Sequence, residues 1–257
     1  MSAVEIHAKG RELRVTLNRP ERRNAINADV LEGLAAAAAR AAEPDIRVVV
    51  LEGSGSAFCA GADLGAAGHD GLPGPSEAML QESDRTFSAW EAIPVPVVAA
   101  VHGAAIAGGL ELLLCCDIVV ASEAARFADA HARFGLLPGA GGSYRLPRRV
   151  GQSSARLLLY TGEEIDAAEA YRIGLVDMLV HADELVERVG RLAGTIASRS
   201  PLVLREMKRL SGEAVALPVE AGLQSAHEAI LRHRSSEDYA EGLQSFIERR
   251  EPRFTGR

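Results

Sequence analysis

Apolar residues at the start of the chain fall into two short runs. VEIHA begins at Val4 and ELRVTL at Glu12, with Lys9 and Gly10 between them. The second run alternates apolar and polar positions, as a strand with one buried face does, so a pair of strands joined at a tight turn is expected. NRPERRNAIN, residues 18–27, is a turn-rich connection. Asn27 then precedes ADVLEGLAAAAARAA, whose alanine content and apolar spacing predict a helix, with Pro44 beyond its end.

Three continuous apolar runs have a different character. RVVVLEG (47–53), PVVAAV (96–101) and DIVVAS (117–122) do not alternate, and strands of that kind are buried on both faces. Helices are expected over 77–92 and from about Gly108. This alternation, continuing to about residue 180, predicts an α/β domain with right-handed crossovers. From about residue 183 the pattern becomes helix upon helix, and Ser236, with Asp238 and Tyr239, opens the last of four helical stripes. Residues 65–76, GAAGHDGLPGPS, hold four glycines and two prolines without periodicity. They are expected to form a mobile surface segment, carrying His69, that closes over a ligand.

Composition narrows the function classes. The chain has 257 residues, 47% hydrophobic and only 4% aromatic, so its core is aliphatic and alanine-rich. A net charge of −7 argues against a nucleic-acid partner, which requires a basic face. Cys59, Cys115 and Cys116 are odd in number and show neither disulfide nor zinc spacing. No signal peptide or membrane span is read in the sequence, so a cytoplasmic protein is expected.

Three glycine-rich elements could carry chemistry. AAIAGGLELLL opens a helix at Gly108 and Gly109, where bare N–H groups can face an anion. Glu111 follows Gly108 by three residues, a carboxylate in an apolar run; it reads either as a catalytic acid or as one that reaches solvent or an arginine. FCAGADL (58–64) follows a buried strand and, taken alone, reads as a strand-to-helix turn. PGAGGSYRL (138–146) matches neither a phosphate loop nor a dinucleotide motif. It reads as a helix start packed close to another backbone.

Together, AFCAGADL (57–64), PVVAAVHGAAIAGGLELLLCCDIVVAS (96–122), FGLLPGAGGSYRLPRRVG (134–151), TGEEIDAAEAYRIGLVD (161–177) and NRPERRNAIN resemble the signatures of the enoyl-CoA hydratase/isomerase (crotonase) family. The likeness spans the chain in order and spacing. It implies a crotonase-like spiral of ββα units over 1–195 carrying an acyl-CoA site. A C-terminal helical region over 196–257 would assemble trimers or dimers of trimers. It also implies that the N–H groups of Ala62 and Gly108 form an oxyanion hole for a thioester carbonyl. One such donor lowers a barrier by about 3–4 kcal/mol.

The resemblance further places CoA along Ala60, Ala62, Asp63 and Leu64, with Arg22 or Arg23 at its phosphates. Phe246 either completes the adenine pocket across a subunit boundary or is an ordinary core aromatic. Glu111 matches the first of two family glutamates. The second is expected seven residues before Pro138, where this chain has His131. Asp129 and Arg133 lie close in sequence, along a segment expected to be extended. A Glu/His pair can still transfer protons, and His131 reads equally as structural. Hydration of a 2-enoyl-CoA is the favoured activity, and the resemblance implies no metal or redox cofactor. Isomerisation, decarboxylation or silent acyl-CoA binding are the alternatives, and the presence of Ala62, Gly108 and Glu111 argues against the last.

Overall fold

The computed structural model describes residues 2–65 and 75–257. The closing segment expected over 65–76, with His69, lies almost wholly outside the described residues. Strands β1 (Val4–Lys9) and β2 (Glu12–Leu17) form an antiparallel hairpin. Gly10 turns it at φ +61°, a conformation that suits a residue without Cβ. Leu13, Val15 and Leu17 face inward, as their alternation requires. Helix α1 (Ala28–Ala41) begins where the Asn27 side chain accepts the Val30 amide.

A repeating unit follows, in which a long strand in one sheet leads to a short strand in a second. β3 (Val48–Gly53) leads to β4 (Ala57–Cys59) and helix α2 (Glu77–Glu91). β5 (Val97–Val101) leads to β6 (Ala104–Ile106) and helix α3 (Gly108–Leu113). β7 (Ile118–Ser122) leads to β8 (Arg126–Ala128), a 3-10 turn over His131–Phe134, and helix α4 (Gly142–Thr161), which breaks at Gly151. The spiral closes with β9 (Ile165–Asp166), α5 (Ala167–Arg172) and β10 (Met178–Val180). One sheet runs β1-β2-β3-β5-β7-β10 and the other β4-β6-β8-β9. Within each, the strands of successive units pair in parallel.

The non-alternating runs are buried on both faces of the larger sheet. Val49, Leu51, Val97, Ala99 and Val119 join the main core with α1 and α2. Val48, Val50, Val98, Ala100 and Val120 pack against Leu185, Val189 and Ala193 of α6 (Leu185–Ala197). Trp90 is wholly buried, and its indole N–H donates to the Leu34 carbonyl at 2.9 Å.

Helices α7 (Pro201–Glu213), α8 (Val219–His233) and α9 (Glu237–Glu248) complete the chain. Buried Arg47 donates to the carbonyls of Ala197, Arg199 and Phe254, tying the chain's end to the sheet. Among the described residues no helix is long and apolar enough to cross a membrane.

The second sheet sets the position of α3. β6 lies beside β4, so the start of α3 lands on the segment that leaves β4. A Cβ on Gly109 would collide with the Cys59 carbonyl. Gly109→Ala is therefore expected to destabilise the fold by about 3 kcal/mol, as forced overpacking does. Gly190, in α6, has nothing within 4 Å of a Cβ, and Gly190→Ala should be neutral or stabilising by up to about 1 kcal/mol. Urea unfolding of both variants compares them. Equal midpoints for Gly109→Ala and the parent would contradict the close approach.

Candidate active site

A cavity of about 360 Å³ opens where β4, α2, α3 and the 131–140 segment meet. Ala60, Ala62, Leu64, Gly108, Glu111 and His131 all line it, with Ile26, Met79, Leu80, Phe87, Leu136 and Leu137 supplying apolar surface. Six of the residues singled out in the sequence thus meet in one place.

Two amides are directed there by the peptides that carry them. The Gly61 carbonyl accepts from Ile26 N at 2.8 Å, so the N–H of Ala62 on the same trans peptide points the opposite way. The Ala107 carbonyl accepts from Glu111 N at 3.0 Å inside α3, which likewise turns the Gly108 N–H outward. Ala107 holds φ 49° and ψ −117°, a strained setting for a residue with a Cβ and of the kind found at functional sites. A methyl built on Gly108 would stand 3.5 Å from the Ala62 nitrogen, and one on Gly61 would stand 3.2 Å from the Gly108 nitrogen. Among the described residues neither amide has an acceptor. The segment after β4 does not turn into a helix by residue 65. Instead Ala62 bridges Ile26, with the Asp63 N–H donating to the Ile26 carbonyl.

Glu111 is buried at the cavity floor. Its Oε1 accepts the amides of Ala140 and Gly142, each at 2.8 Å. The PGAGG run is therefore a cradle for this carboxylate, closer to its expected role as a packed helix start than to a phosphate loop. Arg145 holds the cradle by donating to the Ala140 carbonyl and to Glu91. The Glu111 Oε2 lies 3.8 Å from the His131 Nε2. Burial pushes the Glu111 carboxyl above its ordinary range, against the opposing pull of the Gly142 and Ala140 amides and of His131.

The expectation that residues 129–133 are extended is corrected. β8 ends at Ala128, Ala130 adopts the left-handed conformation at φ 60°, and a 3-10 turn begins at His131. This reversal brings the Asp129 Oδ1 to 3.0 Å from the His131 Nδ1. Burial works against a charged His131 ring, but the hydrogen bond and charge of Asp129, with the charge of Glu111, outweigh it and raise its pKa above 6.5.

The remaining sequence candidates are more dispersed. Asp63 pairs with Arg19 at 2.8 Å and does not line the cavity. Arg23 is exposed, and its carbonyl accepts the Ala60 amide; Arg22 is also exposed. Phe246 is 83% exposed on α9 and lies apart from the cavity, so the core-aromatic alternative does not hold. All three cysteines are buried, and burial pushes the Cys59 and Cys115 thiols up to about 12.

Two structural residues were not singled out in the sequence. Asn24 is fully buried with φ 58°, and its side chain donates to the carbonyls of Ser54, Ala57 and Phe58. It pins NRPERRNAIN to β4. Arg145 is the other; an arginine in the first turn after a glycine pair was the available clue.

Comparison with known proteins agrees with the geometry. The family described as enoyl-CoA hydratase/isomerase matches residues 11–257. The 2,3-dehydroadipyl-CoA hydratase of Escherichia coli K12 is 36% identical over 258 residues, covering 100% of both chains. The crotonyl-CoA hydratase of Syntrophomonas wolfei is 36% identical over 244 residues, covering 93% of this chain and 92% of that protein. The crystal structure of an enoyl-CoA hydratase from Bacillus anthracis superposes with a TM-score of 0.94 at 34% identity, covering 99% of this chain and 100% of the other. With its two outward amides, its buried glutamate and this likeness along its length, the chain belongs to the enoyl-CoA hydratase/isomerase, or crotonase, family.

Proposed function

We propose that this chain hydrates a 2-enoyl-CoA, with Glu111 and His131 sharing the proton transfers. The observation that carries the reading is the convergence of Glu111 Oε2 and His131 Nε2, 3.8 Å apart, in the cavity lined by Ala62 and Gly108. The thioester oxygen sits between the two amides, which stabilise the enolate without reorganising. Water adds to the β-carbon and gives a proton to Glu111, whose Oε1 is already held. The α-carbon takes a proton from the Nε2 of protonated His131. The proton on Glu111 then returns to His131, and one water has been added across the double bond.

Ala60, Asp63 and Leu64 border the nucleotide end of CoA in this reading, with Arg23 at its phosphates. The apolar lining from Met79, Leu80 and Phe87 favours an apolar acyl tail. The exposure of Phe246 supports its placement over a neighbouring copy's adenine pocket. Exposed Met207, Leu223 and Ile230 on α7 and α8 support a homotrimer or dimer of trimers. No metal or redox cofactor enters the proposed steps, nor does nucleic acid or membrane.

Mass spectrometry of an acyl-CoA panel should show a gain of one water on a short 2-enoyl-CoA. An unchanged mass with a moved double bond, loss of carbon dioxide, or binding without turnover would each contradict hydration. Glu111→Gln and His131→Ala should each lower turnover by roughly a hundredfold or more, with circular dichroism unchanged. A fully active Glu111→Gln variant would sink the mechanism.

The productive state has Glu111 ionised and His131 protonated. Both pKa values are raised. The acid limb of the rate profile should therefore lie above the ordinary glutamate range and the alkaline limb above 6.5, the two limbs belonging to the coupled pair. An alkaline limb below 6.5 would remove His131 from the acid role. Sedimentation of the intact chain should give a trimer or hexamer, and a monomer at micromolar concentration would contradict the assembly.

A further inference from the structure

The Asp129 carboxylate is buried, its side chain only 2% exposed. Its Oδ1 accepts from the His131 ring at 3.0 Å and lies 3.3 Å from the His131 amide nitrogen. Its Oδ2 is buried with no hydrogen-bond partner among the described residues. A buried carboxylate so sparsely solvated gains most when its single side-chain partner carries positive charge. The left-handed Ala130 makes the contact possible by folding residue 131 back over 129.

The charged groups facing the ring are Asp129 from its own turn and Glu111 from α3. Arg133 lies instead over Gly162 at the end of α4. No charged side chain of α4 makes an ion pair with the ring among the described residues.

We infer that Asp129 is a positioning residue that holds the His131 ring with Nδ1 protonated and Nε2 turned to Glu111 and the cavity. A carboxylate at one nitrogen fixes which of the two carries the proton and steadies the cationic ring. The buried order is then Asp129, His131, Glu111, so the group standing where a second family glutamate is expected acts together with an acid two residues before it. This inference rests on the reading of His131 as a proton-transfer group.

The test combines NMR of the ring with kinetics. In the parent protein, nitrogen shifts should show neutral His131 protonated at Nδ1, and its titration midpoint should lie above 6.5. In Asp129→Asn the midpoint should fall and the alkaline limb of the rate profile should move to lower pH. Turnover should drop by about tenfold or more with KM little changed. The double variant Asp129→Asn/His131→Ala should be no slower than His131→Ala alone, because residues acting as a unit are not additive.

Neutral His131 protonated at Nε2 in the parent would overturn the inference even if Asp129→Asn failed to fold. So would an unmoved midpoint, or rate losses that add. Full activity of His131→Ala would remove the reading beneath it, whereas a severe His131→Ala with no Asp129 effect would remove the inference alone.

Discussion

The site depends on one close approach between backbones: the first turn of α3 resting on the segment that leaves β4. Gly109 allows it, since any Cβ there would strike the Cys59 carbonyl. Gly61, at φ 93°, completes it from the other side. Without that contact the amides of Ala62 and Gly108 could not address one point. The larger architecture serves the same contact. Pairing of β6 with β4 brings the α3 start into place, and Asn24 fastens the preceding loop to the β4 carbonyls. Amides fixed in this way need no reorganisation when charge develops beside them, which is why such donors act more strongly in a buried site than in water.

The electrostatics of the floor follow from its burial. Glu111 is removed from solvent yet keeps two amide donors on one oxygen. Its charge is made costly by desolvation and tolerable by those bonds, a balance suited to a group that gains and loses a proton in each cycle. His131 is pushed down by burial and raised beyond its ordinary value by its acidic neighbours. With both affinities raised and 3.8 Å between Glu111 Oε2 and His131 Nε2, the carboxyl and the imidazole are placed to exchange a proton.

Much of this was legible in the sequence. The β-branched runs at 47–53, 96–101 and 117–122 gave strands buried on both faces because their apolar residues are continuous. Asn27 and Ser236 cap helices through local contacts, which sequence spacing reports. Glu111 stood out as a lone acid in an apolar run. The hidden features rest on non-local contacts or on rare backbone conformations. Nothing periodic announces that Ala140 and Gly142 hold Glu111, residues separated by 29 and 31 positions. The left-handed Ala130 defeats the extended-strand expectation, because alanine seldom adopts that conformation without tertiary constraint. The sequence left Phe246 between a subunit-boundary pocket and the core, and the packing of α9 shows its ring exposed.

The central claim is that two backbone amides polarise a thioester carbonyl. Difference infrared spectroscopy of a saturated acyl-CoA carrying carbon-13 at the thioester carbonyl reads that directly. The labelled stretch of the bound ligand should move to lower frequency than in water, and should move back toward the solution value in a folded Gly108→Pro variant that lacks one donor. A bound carbonyl band at its solution frequency in the parent protein would contradict the account.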